Sequence, residues 1–273
     1  MSEVETGWQP VQLPSQGPEV RFEAYGVALA IEASRPDILE RASAYLPPGW
    51  TPYASSDVQR RFGIRHDPDG SYTFMKDGKV ETLGLNLELA VLMLDTELRL
   101  FIARKAPGAI FVHAGVVAHR GKAIVLPGLS FAGKTTLVAA LVRAGATYLS
   151  DEFAVLDADG LVHPYPKPLS LRNEDRIQVD QSVESLGGVA GDTALPVGLI
   201  AATTYRPGGQ WQPRRLSAGE GAMSMLANTV PARERPQESL RAIRKAVEHA
   251  VVLESERGEA DVVAPLLLAE LEA

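Results

Sequence analysis

The chain has 273 residues, enough for one large domain or two modest ones, and 45% of them are hydrophobic, so a sizeable core is available. Its 27 basic and 34 acidic residues leave a formal charge of −7, which excludes the broad basic face of sequence-independent nucleic-acid binding but not a local cationic pocket. With no cysteine, disulfides, thiolate catalysis and Cys-ligated zinc are excluded.

Residues 1–18 carry three prolines and little periodicity and read as a loose lead-in. The opening Met1-Ser-Glu-Val-Glu-Thr6 is acidic and lacks the apolar core of a signal peptide. Val20–Glu32 reads as strand. Pro36–Tyr45 reads as a short helix with Ser34 as its cap, ended by Pro47-Pro48-Gly49. Arg61–His66 and Ser71–Lys76 are strands around the turn signal Asp67-Pro68-Asp69-Gly70. Asp77-Gly78 is a further turn, leading into Lys79–Thr82. Leu85–Ala103 is a long, largely apolar helix broken by Pro107-Gly108. Its most apolar part, Leu85–Leu94, holds Asn86 and Glu88 and is too short to span a bilayer. A soluble, cytoplasmic protein is expected, with residues 1–106 as an α+β region for substrate selection or interaction.

Residues 107–273 form the second region. Ile110–His119 and Lys122–Leu126 are apolar runs joined across Arg120-Gly121 as a hairpin. The next segment, Gly128-Leu129-Ser130-Phe131-Ala132-Gly133-Lys134-Thr135, fits G-x-x-x-x-G-K-[ST]. In that pattern the glycines let backbone N–H groups close around polyphosphate oxygens, Lys134 reaches the β- and γ-phosphates, and the Thr135 hydroxyl ligates Mg²⁺. Leu137, Val138, Leu141 and Val142 recur at helical spacing behind the loop, with Gly145 as C-cap. Strand, loop and helix put Gly128–Thr136 at a helix N-terminus, where the dipole favours anions. ATP and Mg²⁺ are the expected cofactors.

Thr147–Asp157 is the next apolar segment. A parallel neighbour strand there brings the adjacent carboxylates of Asp151 and Glu152 beside the phosphates. One can ligate Mg²⁺ and the other accept a proton from an acceptor hydroxyl, the plain alternative being two solvated turn residues. His113, alone in an apolar strand, fits a hydrogen-bonded structural residue as well as a catalyst. No histidine pair has zinc-site spacing.

Further on, Ala194–Tyr205 is a strand, Gly208-Gly209 a turn, Met223–Leu226 helical, Glu238–Ala250 an amphipathic helix, Val251–Glu254 a strand and Asp261–Leu271 a closing helix. Lys167, between Pro166 and Pro168, has a restricted backbone that suits a fixed contact to substrate or phosphate, and Arg172 follows it. Arg206, Arg214 and Arg215 flank the glycine turn as a phosphate or substrate clamp or as solvated loop residues. Arg257, in Glu254-Ser-Glu-Arg-Gly258, reads as paired with neighbouring acids.

Three strings occur in order: His113-Ala-Gly-Val-Val117, then Gly128 to Thr135, then Arg143-Ala-Gly-Ala-Thr-Tyr-Leu-Ser-Asp151-Glu152. Together they resemble the catalytic domain of HPr kinase/phosphorylase and its HPr-kinase-like relatives. The resemblance covers residues 110–175 and extends more weakly to the C-terminus. It implies the compact α/β P-loop domain shared with phosphoenolpyruvate carboxykinase, with a mixed sheet. It further implies that Lys134 and the loop hold ATP phosphates, that Thr135 and Glu152 serve the metal, that Asp151 is the base, and that His113 sits near the reacting phosphate. Glu152 stands where the bifunctional enzymes have a second Asp, and their glycine-rich signature is missing after it. Pro164–Arg172 resembles instead the segment of the HPr-kinase-related proteins. The expected activity is therefore a kinase acting on a hydroxyl of a small metabolite, modified peptide or protein serine, not HPr itself. The alternative is a nucleotide-binding regulatory module that transfers nothing. No nucleic-acid or membrane partner is expected, and homo-oligomerisation is left open.

Overall fold

The computed structural model describes residues 17–128, 133–172 and 178–272, so almost all of the expected lead-in lies outside the described residues. The chain divides into two compact units, Met1–Pro107 and Gly108–Ala273, each mixed α/β.

In the first unit, β1 (Glu19–Ala24) and β2 (Val27–Ala33) form a hairpin where the sequence suggests one strand. Tyr25 and Gly26 turn the chain with φ of 53° and 73°, the double left-handed conformation of a two-residue hairpin loop. A tyrosine at the first turn position hid that signal. Helix α1 (Pro36–Ser43) is not capped by Ser34. Pro36 occupies its first turn and forces Arg35 into an extended conformation as N-cap, while the Ser34 hydroxyl accepts the His66 N–H at 2.9 Å.

Strands β3 (Thr51–Pro52), β4 (Arg60–His66), β5 (Tyr72–Lys76) and β6 (Lys79–Leu85) complete a sheet of order β3-β1-β2-β4-β5-β6, in which β2 and β4 run parallel. Helix α2 (Leu87–Lys105) is capped by Asn86, whose side chain accepts the Leu89 N–H. Ala90, Val91, Leu94, Leu98 and Ile102 recur at three- and four-residue spacing and are buried on its inner face.

In the second unit, β7 (Ile110–His119) and β8 (Lys122–Pro127) form the expected hairpin through Arg120-Gly121. Helix α3 (Lys134–Arg143) follows, then β9 (Thr147–Ser150), β10 (Phe153–Leu156) and β11 (Val162–His163). Strands β12 (Leu169–Arg172) and β13 (Gln178–Gln181) make a separate two-stranded ribbon. The remaining elements are β14 (Val197–Tyr205), β15 (Arg214–Arg215), α4 (Ala218–Ala227), α5 (Pro236–Val247), β16 (Val251–Arg257) and α6 (Ala260–Ala269). Helix α4 is longer than Met223–Leu226. A reciprocal capping box between Ser217 and Glu220 starts it, although Gly219 and Gly221 lower its intrinsic propensity.

The sheet runs β11-β10-β7-β8-β14-β16-β15, with β9 also on β7. Strands β8, β14 and β16 are parallel neighbours. The segment carrying Asp151 is therefore not the parallel neighbour of β8. The tight hairpin gives one edge of β8 to β7 and β14 takes the other, so β9 and β10 pair antiparallel with β7. Strand alternation then splits the core. Val117, Ile124, Leu126, Leu199 and Leu253 pack with α3 and α6 on one face, whereas Val116, Val125, Ile200 and Val252 pack with α4 and α5 on the other. Among the described residues no helix is long and apolar enough to cross a membrane.

Gly115 sets how closely α3 approaches β7, because a Cβ there would come within 2.5 Å of Val138 Cγ2. Gly115→Ala is expected to cost about 1–3 kcal/mol in denaturant unfolding through overpacking. Adding Val138→Ala should recover part of that loss, and strictly additive losses would refute the contact.

Candidate functional site

The site is built where β8 meets α3. The Gly128 N–H donates to the His113 carbonyl at 3.2 Å, tying the loop entrance to β7. At the other end Gly133, with φ 76° and ψ 20°, is the left-handed N-cap of α3. Leu129, Ser130, Phe131 and Ala132 lie outside the described residues. Lys134, Thr135 and Thr136 form the first turn, and Thr136 is exposed. That turn holds no acidic residue of its own, so the carboxylate that meets the positive end of the helix comes from elsewhere in the chain.

Asp151 reaches this helix start from the break between β9 and β10. Ser150 makes the bend: its buried hydroxyl accepts the N–H groups of both Glu152 and Phe153, at 3.1 and 3.0 Å. The Ala114 N–H donates to the Glu152 carbonyl, so the bend stays on the edge of β7. The Asp151 carboxylate accepts hydrogen bonds from the Thr135 hydroxyl, the Tyr148 hydroxyl and the Ser170 N–H. Burial nevertheless dominates and pushes its carboxyl above the usual aspartate range, with those hydrogen bonds opposing. Burial also pulls Lys134 below its ordinary value, and the charge of Asp151 opposes that. The Tyr148 hydroxyl lies 3.1 Å from Asp151 Oδ1 and 2.8 Å from the Lys167 carbonyl, and it is pushed far up by burial first and by Asp151 second. It thus links the acid to the proline-flanked Lys167 segment. The Lys167 ammonium itself stands 3.9 Å from Glu152 Oε2.

His113 lies on β7 where β10 begins, two residues past Asp151. Its cross-strand partner is Phe153, against which its ring packs at 4.9 Å with a 34° tilt. By strand alternation His113, Gly115 and Val117 share the α3 face.

The structure therefore brings together Lys134, Thr135 and Asp151, while Glu152, next in the same bend, turns its carboxylate towards Lys167. It does not bring Arg206 to them: that side chain is 67% exposed and chelates both carboxylate oxygens of Glu256. Arg214 pairs with Glu220 and Glu254, and Arg215 with Glu270. The side chain of Arg172 lies outside the described residues. Arg257 is not paired with its sequence neighbours. Glu254 and Glu256 point outward while the alternating Ser255 and Arg257 point inward, and Arg257 donates to the Gly133 and Gly258 carbonyls at 2.9 and 3.1 Å.

Sequence reasoning missed Tyr148, Ser150 and Arg257 as site residues. The first two read as strand filling, although Ser150-Asp151-Glu152 has the pattern of a hydroxyl-closed turn.

The Thr135 hydroxyl and the carboxylates of Asp151 and Glu152 are hard oxygen donors suited to Mg²⁺, which keeps several waters and shares phosphate oxygens. Among the described residues no cluster of three His, Asp or Glu side chains forms a ready cage, and this ion does not require one. No protein-family model and no curated protein matches the chain, so the family resemblance rests on its motif residues alone.

Asp151 also yields a stability prediction. Its native carboxyl is raised above the unfolded value, so ionisation is harder in the folded state. Stability is thus lost as pH rises from the ordinary aspartate range through the raised value. Thermal melts from pH 4 to pH 8 should show Asp151→Asn gaining on the wild type as pH increases. A gain in the opposite direction would contradict the burial.

Proposed function

We propose that this chain is an ATP- and Mg²⁺-dependent kinase of the HPr-kinase-like class, with the catalytic fold shared with phosphoenolpyruvate carboxykinase. It transfers the γ-phosphate to a hydroxyl of a small metabolite, modified peptide or protein serine other than that of HPr. The observation that carries this reading is the Asp151 carboxylate held by Thr135 and facing Lys134 at the positive end of α3. A nucleotide site needs the cation and the hydroxyl, and a transferase additionally needs a proton acceptor there.

ATP·Mg²⁺ supplies the phosphoryl group and much of the charge neutralisation. The α3 N–H groups and Lys134 orient the phosphates, and Thr135 and Glu152 offer oxygens to the metal. Asp151 takes the proton of the acceptor hydroxyl at a carboxylate oxygen, helped by a raised proton affinity. The bend at Ser150 fixes its aim. A regulatory module that binds ATP without transfer is the second reading, and what favours it is that Asp151 already accepts from Tyr148 and Thr135.

Two variants separate these readings. Lys134→Ala should weaken ATP·Mg²⁺ binding by roughly 1.5–3 kcal/mol, about ten- to a hundredfold in Kd, measured by calorimetry. Asp151→Asn should still bind ATP but lower transfer, or slow hydrolysis, of labelled γ-phosphate by about 10²–10⁴-fold. Unchanged affinity in the first would sink the nucleotide site. Wild-type rates in the second would remove the base. An inert wild-type protein, across a broad set of hydroxyl acceptors, would favour the regulatory reading.

A further inference from the structure

Arg257 ends β16 and is 2% exposed, which makes it the bulkiest fully buried side chain among the described residues. Its guanidinium meets no carboxylate at ion-pair distance among those residues, and its Nε finds no hydrogen-bond partner. Nη2 donates instead to the carbonyl of Gly133, the N-cap of α3, and Nη1 to the carbonyl of Gly258. The Tyr205 ring lies 5.4 Å from the guanidinium, and the Tyr205 hydroxyl donates to Glu259 Oε1 at 3.1 Å. Gly133 is shaped around this contact, since a Cβ on it would stand 2.7 Å from Arg257 Nη2.

We infer that Arg257 is a positioning residue of the phosphate site, holding Gly133 and supplying a buried positive charge that an anionic polyphosphate at the start of α3 neutralises. The inference rests on reading that helix start as a phosphate site. Three observations support it. A charge is rarely left buried without a counter-charge, and burial already weakens the hold of Arg257 on its proton. Of the nearby acids, Glu254 pairs with Arg214 and Glu256 with Arg206, and Glu259, held by the Tyr205 hydroxyl, acts on Arg257 only from beyond ion-pair distance. The sheet order sets β16 beyond β14 on one side of β8, whereas Asp151 comes from beyond β7 on the other. Lys134 faces Asp151 and Arg257 holds the Gly133 carbonyl, with Glu259 beyond ion-pair distance, so two cations flank the helix start and a polyanion there adds the close counter-charge that Arg257 lacks.

Calorimetry of the full chain with inorganic tripolyphosphate and with ATP·Mg²⁺ tests this on the wild type, Arg257→Met, Arg257→Lys and Lys134→Ala. Arg257→Met should weaken tripolyphosphate binding by about tenfold or more, while Arg257→Lys, which keeps the charge, should stay within roughly threefold of the wild type. Wild-type affinity in Arg257→Met overturns the inference. So does equal weakening in the Lys and Met variants, which reduces the contact to a structural one. If Lys134→Ala loses binding and Arg257→Met does not, the inference alone falls. If the wild type binds neither probe, the phosphate-site reading falls and takes the inference with it. Should Arg257→Met fail to fold, ¹⁵N spectra of the wild type decide. The Arg257 Nε–H resonance, identified by its absence in Arg257→Lys, should shift on saturation with tripolyphosphate, and an unmoved resonance overturns the inference.

Discussion

The second unit depends on one close approach, α3 lying directly on β7 at Gly115. Gly115 has no side chain, so Val138 fills the space where a Cβ would stand. The helix leaves the end of β8 and crosses the strand that β9 and β10 flank on its other edge. Its first turn therefore lies against the bend at Ser150, and Lys134 and Thr135 meet Asp151 although two segments of chain separate them. A bulkier residue at position 115 would lift the helix and open that meeting point.

The second constraint is electrostatic. Around the start of α3 the fold buries charges that water would otherwise solvate: Lys134 and Arg257 are both shifted towards losing their protons, and Asp151 towards keeping its own. Fixed, dehydrated charges of this kind are costly to an empty fold and strong towards an arriving counter-charge, because little solvent has to reorganise. The surface pairs contrast with this. Arg206 with Glu256 and Arg214 with Glu254 are exposed and screened, and they contribute little beyond solubility and loop geometry.

Most of the architecture follows from short-range signals. Asp77-Gly78 and Arg120-Gly121 mark two-residue hairpins, Asn86 caps α2, and Leu137, Val138, Leu141 and Val142 trace the buried stripe of α3. Local signals failed where two of them competed. Ser34 looks like a helix cap, but Pro36 fixes the entry and the hydroxyl serves β4 instead. Tyr25 conceals a hairpin because the positive φ that its turn needs is uncommon for an aromatic residue.

The chain by itself determined which groups are available: the loop string from Gly128 to Thr135, the adjacent acids Asp151 and Glu152, and the lack of any thiol. Such features are local, since spacing along the backbone settles strand, loop and helix. Tertiary structure decided which groups meet. It put β7 between β8 and β9, turned Arg206 out to Glu256, drew Tyr148 between Asp151 and Lys167, and carried Arg257 across β14 to Gly133. Those contacts span up to 124 residues, and they depend on strand order and on which way each alternating side chain faces. Strand order is settled by competition among whole strands for neighbouring edges, a balance to which no single stretch of sequence holds the key.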